Sequence, residues 1–373
     1  MVDLKINILS GPERIRRRPA VIFGSEDLAG VQNMVQSLLE IWLEEAQLGH
    51  SHRITLTAYA DGSVGLQDDG RGLWFGQDDA VWQALFCQLH SGRRGEESPK
   101  RKLFEDPGPD YLDHDNLAIR SAVCSSEYMD VHASRDGISY KLHFEKGENI
   151  GGLSKDLSQK PSGTALRFKP DREVFTETEL PKQWIREKAR MLAVLVPGIT
   201  GVFREETADG FAESTWCYPN GIGDFLREMD TQCTATGIYL GSLEGEGQER
   251  YNRPRYHAKI QMGLRFSADP GFVRCYHNFR ELTCGGRHMD ILLKEITRLL
   301  QVRICRRITM EEVKNRLQLV VVTASGLTEW ENACCMEIKS TVLRDMASDL
   351  LRDDFIYYLS KNEKYLEALF YQG

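Results

Sequence analysis

The sequence predicts an α+β protein of two domains, on three observations. A helical stretch at 31–48 is followed at once by alternating, strand-like runs. More alternating runs and a second helical stretch extend to residue 195, and beyond residue 200 strands and helices intermix again. The length of 373 residues suits two domains of about 100–200 residues each, which we place at 1–200 and 201–373. With 41% hydrophobic and 27% charged residues the chain can bury a core and is not disordered. Forty-seven Lys and Arg against 55 Asp and Glu give a net charge of -8, so any attraction to nucleic acid must come from a local patch. No window approaches the ~18 uninterrupted apolar residues of a membrane span, and the opening Met1-Val2-Asp3-Leu4-Lys5-Ile6 lacks a secretory layout. A soluble, cytoplasmic protein without a membrane partner is expected. Nine cysteines without a C-x-x-C pair argue against a disulfide frame or a zinc site and for reduced, mostly buried thiols.

The elements follow in order. Val31, Met34, Val35, Leu38, Leu39, Trp42 and Ala46 recur at helical spacing up to Gly49, leaving an exposed face expected to be acidic. Residues 53–59 turn Ile54, Leu56 and Ala58 inward, and 63–67 return after Asp61-Gly62, which reads as a hairpin. Residues 91–115, rich in Gly, Pro and charge runs, form a loop long enough to be a lid or a binding loop. Two alternating runs within 129–144 flank Arg135-Asp136-Gly137; a strand at 164–169 and a helix at 181–195 close the first domain. In the second, polar residues 243–254 read as a hairpin tip or an exposed excursion. Strands at 256–265 and 317–323, and helices at 289–302 and over most of 343–369, make an α/β domain.

The run that bears most on chemistry is Asp68-Asp69-Gly70-Arg71-Gly72. A carboxylate just past a strand can accept a hydrogen bond from an exocyclic amine, and the glycines let the backbone close on a planar ring. The same pentapeptide also reads as an ordinary turn.

Taken with its neighbours, this run resembles the N-terminal ATPase and transducer region of the DNA gyrase and topoisomerase IV B subunits, members of the GHKL ATPase superfamily. The resemblance rests on Ile15-Arg16-Arg17-Arg18-Pro19 with Phe23-Gly24, on Glu44-Glu45-Ala46 with Gly49, and on 68–72. It continues through Leu89-His90-Ser91-Gly92, Ser162-Gly163-Thr164, Phe168-Lys169-Pro170-Asp171 and Val174-Phe175-Thr176-Glu177. In the second domain it rests on Cys284-Gly285-Gly286-Arg287-His288 and on Ile308-Thr309 with Glu312-Val313. It implies a GHKL (Bergerat) α/β sandwich followed by an α/β transducer domain, with ATP as the cofactor. Asp68 would accept from the adenine amino group, Thr164 share its water-linked contacts and Gly72 wall the base pocket. Arg71 would pair with Glu45, itself also readable as a plain salt bridge between helix and hairpin, and Arg135 would line the pocket mouth.

The departures concern hydrolysis. Counting back without a gap from Glu45-Ala46, the family's general-base Glu falls on Ser37 and its Mg²⁺-binding Asn on Ile41. A serine hydroxyl cannot take a proton from water as a carboxylate does, and Ile offers no oxygen to a hard cation. Glu40 is the candidate substitute base. The glycine-rich lid corresponds to Asp113-His114-Asp115-Asn116-Leu117-Ala118, and the loop carrying the γ-phosphate lysine to Ala333-Cys334-Cys335, with Lys339 four residues on. Arg93-Arg94 with Lys100-Arg101-Lys102, and Arg303, Arg306 and Arg307, are local basic runs that read either as phosphate or DNA contacts or as solvated charge.

Three functional classes are open: an ATP-dependent topoisomerase B-like module, a pseudo-ATPase serving dimerisation or regulation, and a clamp mimic that binds a topoisomerase partner. The implied partners are an adenine nucleotide, DNA, an A-type topoisomerase subunit and, on nucleotide binding, a second copy of the chain. The family's DNA-cleaving metal domain is not in the sequence, which reads either as a trimmed piece or as a natural short form.

Overall fold

The computed structural model describes residues 11–73, 75, 80–87, 117–230, 235–251, 254–331 and 336–371, and contacts divide the chain into two units after Cys217. The first begins with helices α1 (Gly11–Arg16), α2 (Pro19–Phe23) and α3 (Leu28–Gln47). Asp27 caps α3 by accepting the Ala29 N–H, which satisfies one of the donors a helix start leaves unmatched. Strands β1 (Arg53–Ala58) and β2 (Val64–Asp68) form the expected hairpin, with Ile54 opposite Asp68 and Leu56 opposite Leu66. After α4 (Ala80–Phe86) and α5 (Leu117–Cys124) come β3 (Ser126–Arg135), β4 (Ile138–Glu145), β5 (Glu148–Asn149), β6 (Ser154–Leu157) and β7 (Gly163–Pro170). Helix α6 (Lys182–Leu195) and strands β8 (Thr200–Thr207) and β9 (Gly210–Cys217) complete the unit.

The strands make one sheet in the order β5-β4-β3-β7-β2-β1-β8-β9, with β6 also on β4. Helix α6 packs across β1, β8 and β9, and α5 packs on β3 and on α3. The face built from Ile54, Leu56, Leu66, Met129, Val131, Leu166 and Phe168 is buried. Because β8 pairs in parallel with β1, Arg53 opposite Thr200, the boundary expected at residue 200 falls inside this sheet and moves to Cys217. Strand pairing across some 150 residues leaves no trace in local periodicity.

Two further expectations change. The acidic face of α3 is not exposed: Glu40 and Glu45 are 5% and 0% exposed, Glu45 because it is ion-paired. Among the described cysteines only Cys124 and Cys275 are buried, while Cys87, Cys217, Cys284 and Cys305 are exposed, the last two at a turn and at a helix end. No disulfide occurs among the described residues. The opening arginine motif is structural. Arg16 reaches Asp171 at 2.7 Å, Glu173 at 2.9 Å and the Cys124 carbonyl at 3.0 Å, and Phe23 lies against Phe175, so two of the sequence motifs hold each other.

The second unit contains α7 (Ile222–Glu228), β10 (Tyr239–Gly247), β11 (Tyr256–Phe266), β12 (Phe272–His277), β13 (Arg280–Glu281) and β14 (Gly285–Gly286). These are followed by α8 (Arg287–Ile304), α9 (Met310–Lys314), β15 (Leu317–Ser325) and β16 (Glu337–Ile338). Its sheet runs β10-β11-β15-β12-β13. Residues 243–247, expected in an excursion, are paired with β11; they look polar because that edge strand is largely exposed. The C-terminal helical stretch is three helices, α10 (Thr341–Asp349), α11 (Asp353–Lys361) and α12 (Glu363–Tyr371), with α10 packed on α8. Thr309 and Glu312 form a reciprocal capping box at α9.

Candidate functional site

Asp68 ends β2 with its side chain buried. Its Oδ1 accepts the Thr164 N–H at 2.7 Å and the Gly70 N–H at 3.2 Å, while Oδ2 takes no hydrogen bond from a described residue. The neighbouring Asp69 does different work. Its Oδ1 accepts from the Ser51 hydroxyl at 3.0 Å and from the His52 and Arg53 N–H groups at 2.7 and 2.8 Å, tying the turn to the start of β1. Each carboxylate takes its hydrogen bonds on Oδ1; what separates the two is burial, Asp69 being exposed and Asp68 buried.

Two glycines bring the walls together. Gly72 has φ +80°, and a Cβ there would lie 2.3 Å from the Ser134 carbonyl oxygen; at Gly163, with φ +152°, it would lie 2.5 Å from the Asp68 carbonyl oxygen. Any side chain at either place would push the 68–72 turn off β3 or β7. The Thr164 hydroxyl accepts the Leu73 N–H at 3.0 Å, which leaves its own proton to donate. Arg135, at the end of β3, places Nη1 3.4 Å from the Gly72 carbonyl.

The floor is α3. Arg71 grips Glu45 through Nε at 2.7 Å and Nη2 at 3.2 Å, a two-pronged pair that is strong for an ion pair. Ser37, Ile41 and Glu45 are four residues apart, so they run along one stripe of the helix at about 6 Å per step. The Ser37 hydroxyl donates to the Asn33 carbonyl at 2.9 Å, Ile41 is 8% exposed and Glu40 is buried. The stripe leading away from the Asp68 turn thus carries a hydroxyl bonded to its own helix and a hydrocarbon. Among the described residues no group of three His, Cys, Asp or Glu is placed to hold a metal.

Burial raises the Asp68 carboxyl from 3.8 to about 7, against the pull of the Thr164 and Gly70 N–H groups. The folded state therefore holds a proton that the unfolded chain releases at lower pH. Asp68's contribution to stability is fully present below about pH 4 and is lost as pH rises through about 7. We expect denaturant titrations of Asp68→Asn and the parent chain to show this: the difference in their unfolding free energies should change across that window and be flat above it.

Other residues singled out in the sequence have structural settings. Lys339 pairs with Glu331 at 2.5 Å, Arg303 with Glu363, and Arg306 with Glu312 at 3.4 Å while lying over Tyr371. His288 is buried, with Nε2 3.2 Å from the Cys275 sulfur. The 89–92 motif, the loop at 91–115 with its basic runs, most of the 113–118 segment and 333–335 lie outside the described residues. Neither the work of Asp69 nor the Gly163 approach to β2 was visible in local pattern, since both depend on partners distant in the chain. The Gly before Thr164 was the available signal for the second.

No family model matches the chain. In sequence it is similar to the B subunit of DNA topoisomerase 4 from Enterococcus faecalis, 28% identical over 98% of this chain and 54% of that one. It is also similar to the DNA gyrase B chain of Thermotoga maritima, 28% identical over 79% and 45%. The chain spans about half the length of these relatives. In structure it is similar to the gyrase B-subunit of Myxococcus xanthus, with TM-score 0.71 and 16% identity over 96% of this chain and 99% of that one. The 43K ATPase domain of Thermus thermophilus gyrase B, solved with an aminocoumarin, gives TM-score 0.66 and 20% identity over 98% and 94%. The fold is therefore the GHKL sandwich followed by a second α/β domain. Among the described residues no helix is long and apolar enough to cross a membrane.

Proposed function

We propose that this chain, a homologue of the B subunits of DNA gyrase and topoisomerase IV, is a type II topoisomerase B-like module that binds an adenine nucleotide and hydrolyses it weakly or not at all. The observation that carries the binding half is the free Oδ2 of Asp68, a buried acceptor whose partner oxygen is already anchored. The adenine amino group donates to Oδ2, the Thr164 hydroxyl serves the ring edge, Gly72 forms a wall, and Arg135 stands at the mouth. Arg71 and Glu45 act as positioning residues that fix the turn on α3.

The hydrolytic half rests on Ser37 and Ile41. Ser37 offers no general base and Ile41 no oxygen to a cation, so on this reading nucleotide is held with little help from Mg²⁺. Glu40 remains the candidate substitute base, displaced from Ser37 by about 4.5 Å along the helix. Dimerisation on nucleotide binding and contact with DNA and with an A-type subunit belong to the same proposal as what the family resemblance implies, and a cytoplasmic location is proposed with them. The pseudo-ATPase form of this reading is favoured by the Ser37 hydroxyl being committed to the Asn33 carbonyl.

Calorimetric titration of the chain with a non-hydrolysable ATP analogue, beside phosphate release from ATP at millimolar Mg²⁺, tests both halves. We expect saturable binding that changes little when Mg²⁺ is removed, and turnover near background. Absence of binding defeats the nucleotide reading, and Mg²⁺-dependent turnover at ordinary ATPase rates defeats the hydrolytic one.

A further inference from the structure

We infer, resting on the base-binding role proposed above, that protonation of Asp68 switches the site from 6-aminopurine to 6-oxopurine nucleotides. Both N–H groups that reach the carboxylate, from Thr164 at 2.7 Å and from Gly70 at 3.2 Å, end on Oδ1. A proton taken up by the group therefore sits on Oδ2. Oδ2 accepts nothing from a described residue, yet it is not among the sealed polar atoms, such as Ser121 Oγ and Ser125 Oγ, that lack both a partner and solvent. The same oxygen is an acceptor when the carboxyl is ionised and an O–H donor when it is neutral.

Thr164 can follow this reversal. Its hydroxyl oxygen already accepts the Leu73 N–H at 3.0 Å, which leaves it one lone pair and one proton. The proton suits the bare ring nitrogen beside an amino group, and the lone pair suits the ring N–H beside an oxo group. Asp68 and Thr164 together thus match either ring edge. The surroundings bring the change within reach of ordinary pH. Burial raises the carboxyl to about 7, and Glu45 on α3 and the adjacent Asp69 push it the same way. Of the cations on the turn and on β3, Arg71 is paired with Glu45, and Arg135 lies 3.4 Å from the Gly72 carbonyl and 3.5 Å from Asp136. Strand β7 meets the carboxyl through the uncharged Thr164.

Calorimetric titration of the whole chain with ADP and with IDP, at pH 8 and at pH 5.5, tests it. The two ligands differ only along the ring edge in question, so the phosphate contacts cancel in the ratio of their affinities. At pH 8 ADP should bind the tighter. With the carboxyl titrating at about 7, the ionised fraction falls about 30-fold between pH 8 and pH 5.5 and the protonated fraction rises about tenfold, so the ADP-to-IDP affinity ratio should fall by about 10²-fold or more. Asp68→Asn keeps the Oδ1 anchors and carries a permanent donor in place of Oδ2. It should favour IDP at both pH values, with a ratio that pH leaves alone, and thermal unfolding checks its fold. A ratio in the parent chain that stays constant with pH, or a folded Asp68→Asn chain that still favours ADP, would overturn the inference. Failure of ADP to bind at pH 8 defeats the nucleotide reading itself, and this switch with it.

Discussion

Replacing Ser37 with Glu and Ile41 with Asn together is expected to raise ATP turnover by about 10²–10⁴-fold, the usual worth of a positioned base. The two positions are one turn apart on the same stripe of α3 that ends in the Glu45–Arg71 pair, so the new carboxylate and amide face the same side as the residue that fixes the Asp68 turn. The helix should tolerate both. Ser37 is only partly buried, and its loss releases a hydroxyl that bonds back to its own helix, an arrangement that slightly disfavours helices. Ile41 is the costlier change, because burying an amide without partners costs about 1–3 kcal/mol; Mg²⁺ and nucleotide supply partners only when bound. Phosphate release by the double variant and both single variants is the measurement, with thermal unfolding as the fold control. Strong non-additivity is expected, since a base without a bound cation, or a cation without a base, achieves little. A folded double variant with no gain would show that Ser37 and Ile41 are not the missing parts, and would shift attention to segments 113–118 and 333–335.

At pH 8.5, above the about 7 to which burial raises the Asp68 carboxyl, Asp68→Asn should weaken adenine nucleotide binding by about 10–10²-fold, corresponding to the ~1.5–3 kcal/mol of a hydrogen bond to a charged group. The reason is specific to how the site is wired. The amide oxygen must stay where Oδ1 is, because the Thr164 and Gly70 N–H groups both point there. The amide nitrogen then occupies the Oδ2 position and presents a donor to the donor amine of the base. Since the anchoring bonds survive, the variant should fold, and calorimetry on the same analogue reads the loss directly. Unchanged affinity in a folded variant would remove Asp68 from the base-binding role and leave it a strut between β2 and β7.

The two predictions separate what was legible in the residues from what was not. Local order was readable because it depends on near neighbours. The 31–48 periodicity gave α3, Asp61-Gly62 gave the hairpin, and Arg135-Asp136-Gly137 gave the next one. For the candidate site the residues by themselves offered an acceptor and flexible glycines that read equally as an ordinary turn; the nucleotide roles came from the resemblance. What local pattern could not supply was the partner of each group. Nothing near Asp69 in sequence marks it as the clamp on Ser51, His52 and Arg53, and nothing near Glu45 says that an apparently solvent-facing acid is fully buried.

The domain boundary shows the same division. A strand such as β8 is amphipathic wherever it pairs, so its sequence is silent on which sheet it joins; its hydrogen bonds to β1 assign it and β9 to the first unit. Arg265 is the sharper case, an ordinary charged residue in an alternating run until β11 is placed between β10 and β15 and the side chain is enclosed. The linear order of residues was enough to specify α3, the first hairpin and the likeness to the gyrase B region, because these are properties of neighbours along the chain, but not β8 and β9 or helices α1, α2, α4 and α5. Which of two adjacent carboxylates is buried, and where the first sheet ends, were settled by folding, because burial and strand pairing are set by groups that meet only in three dimensions.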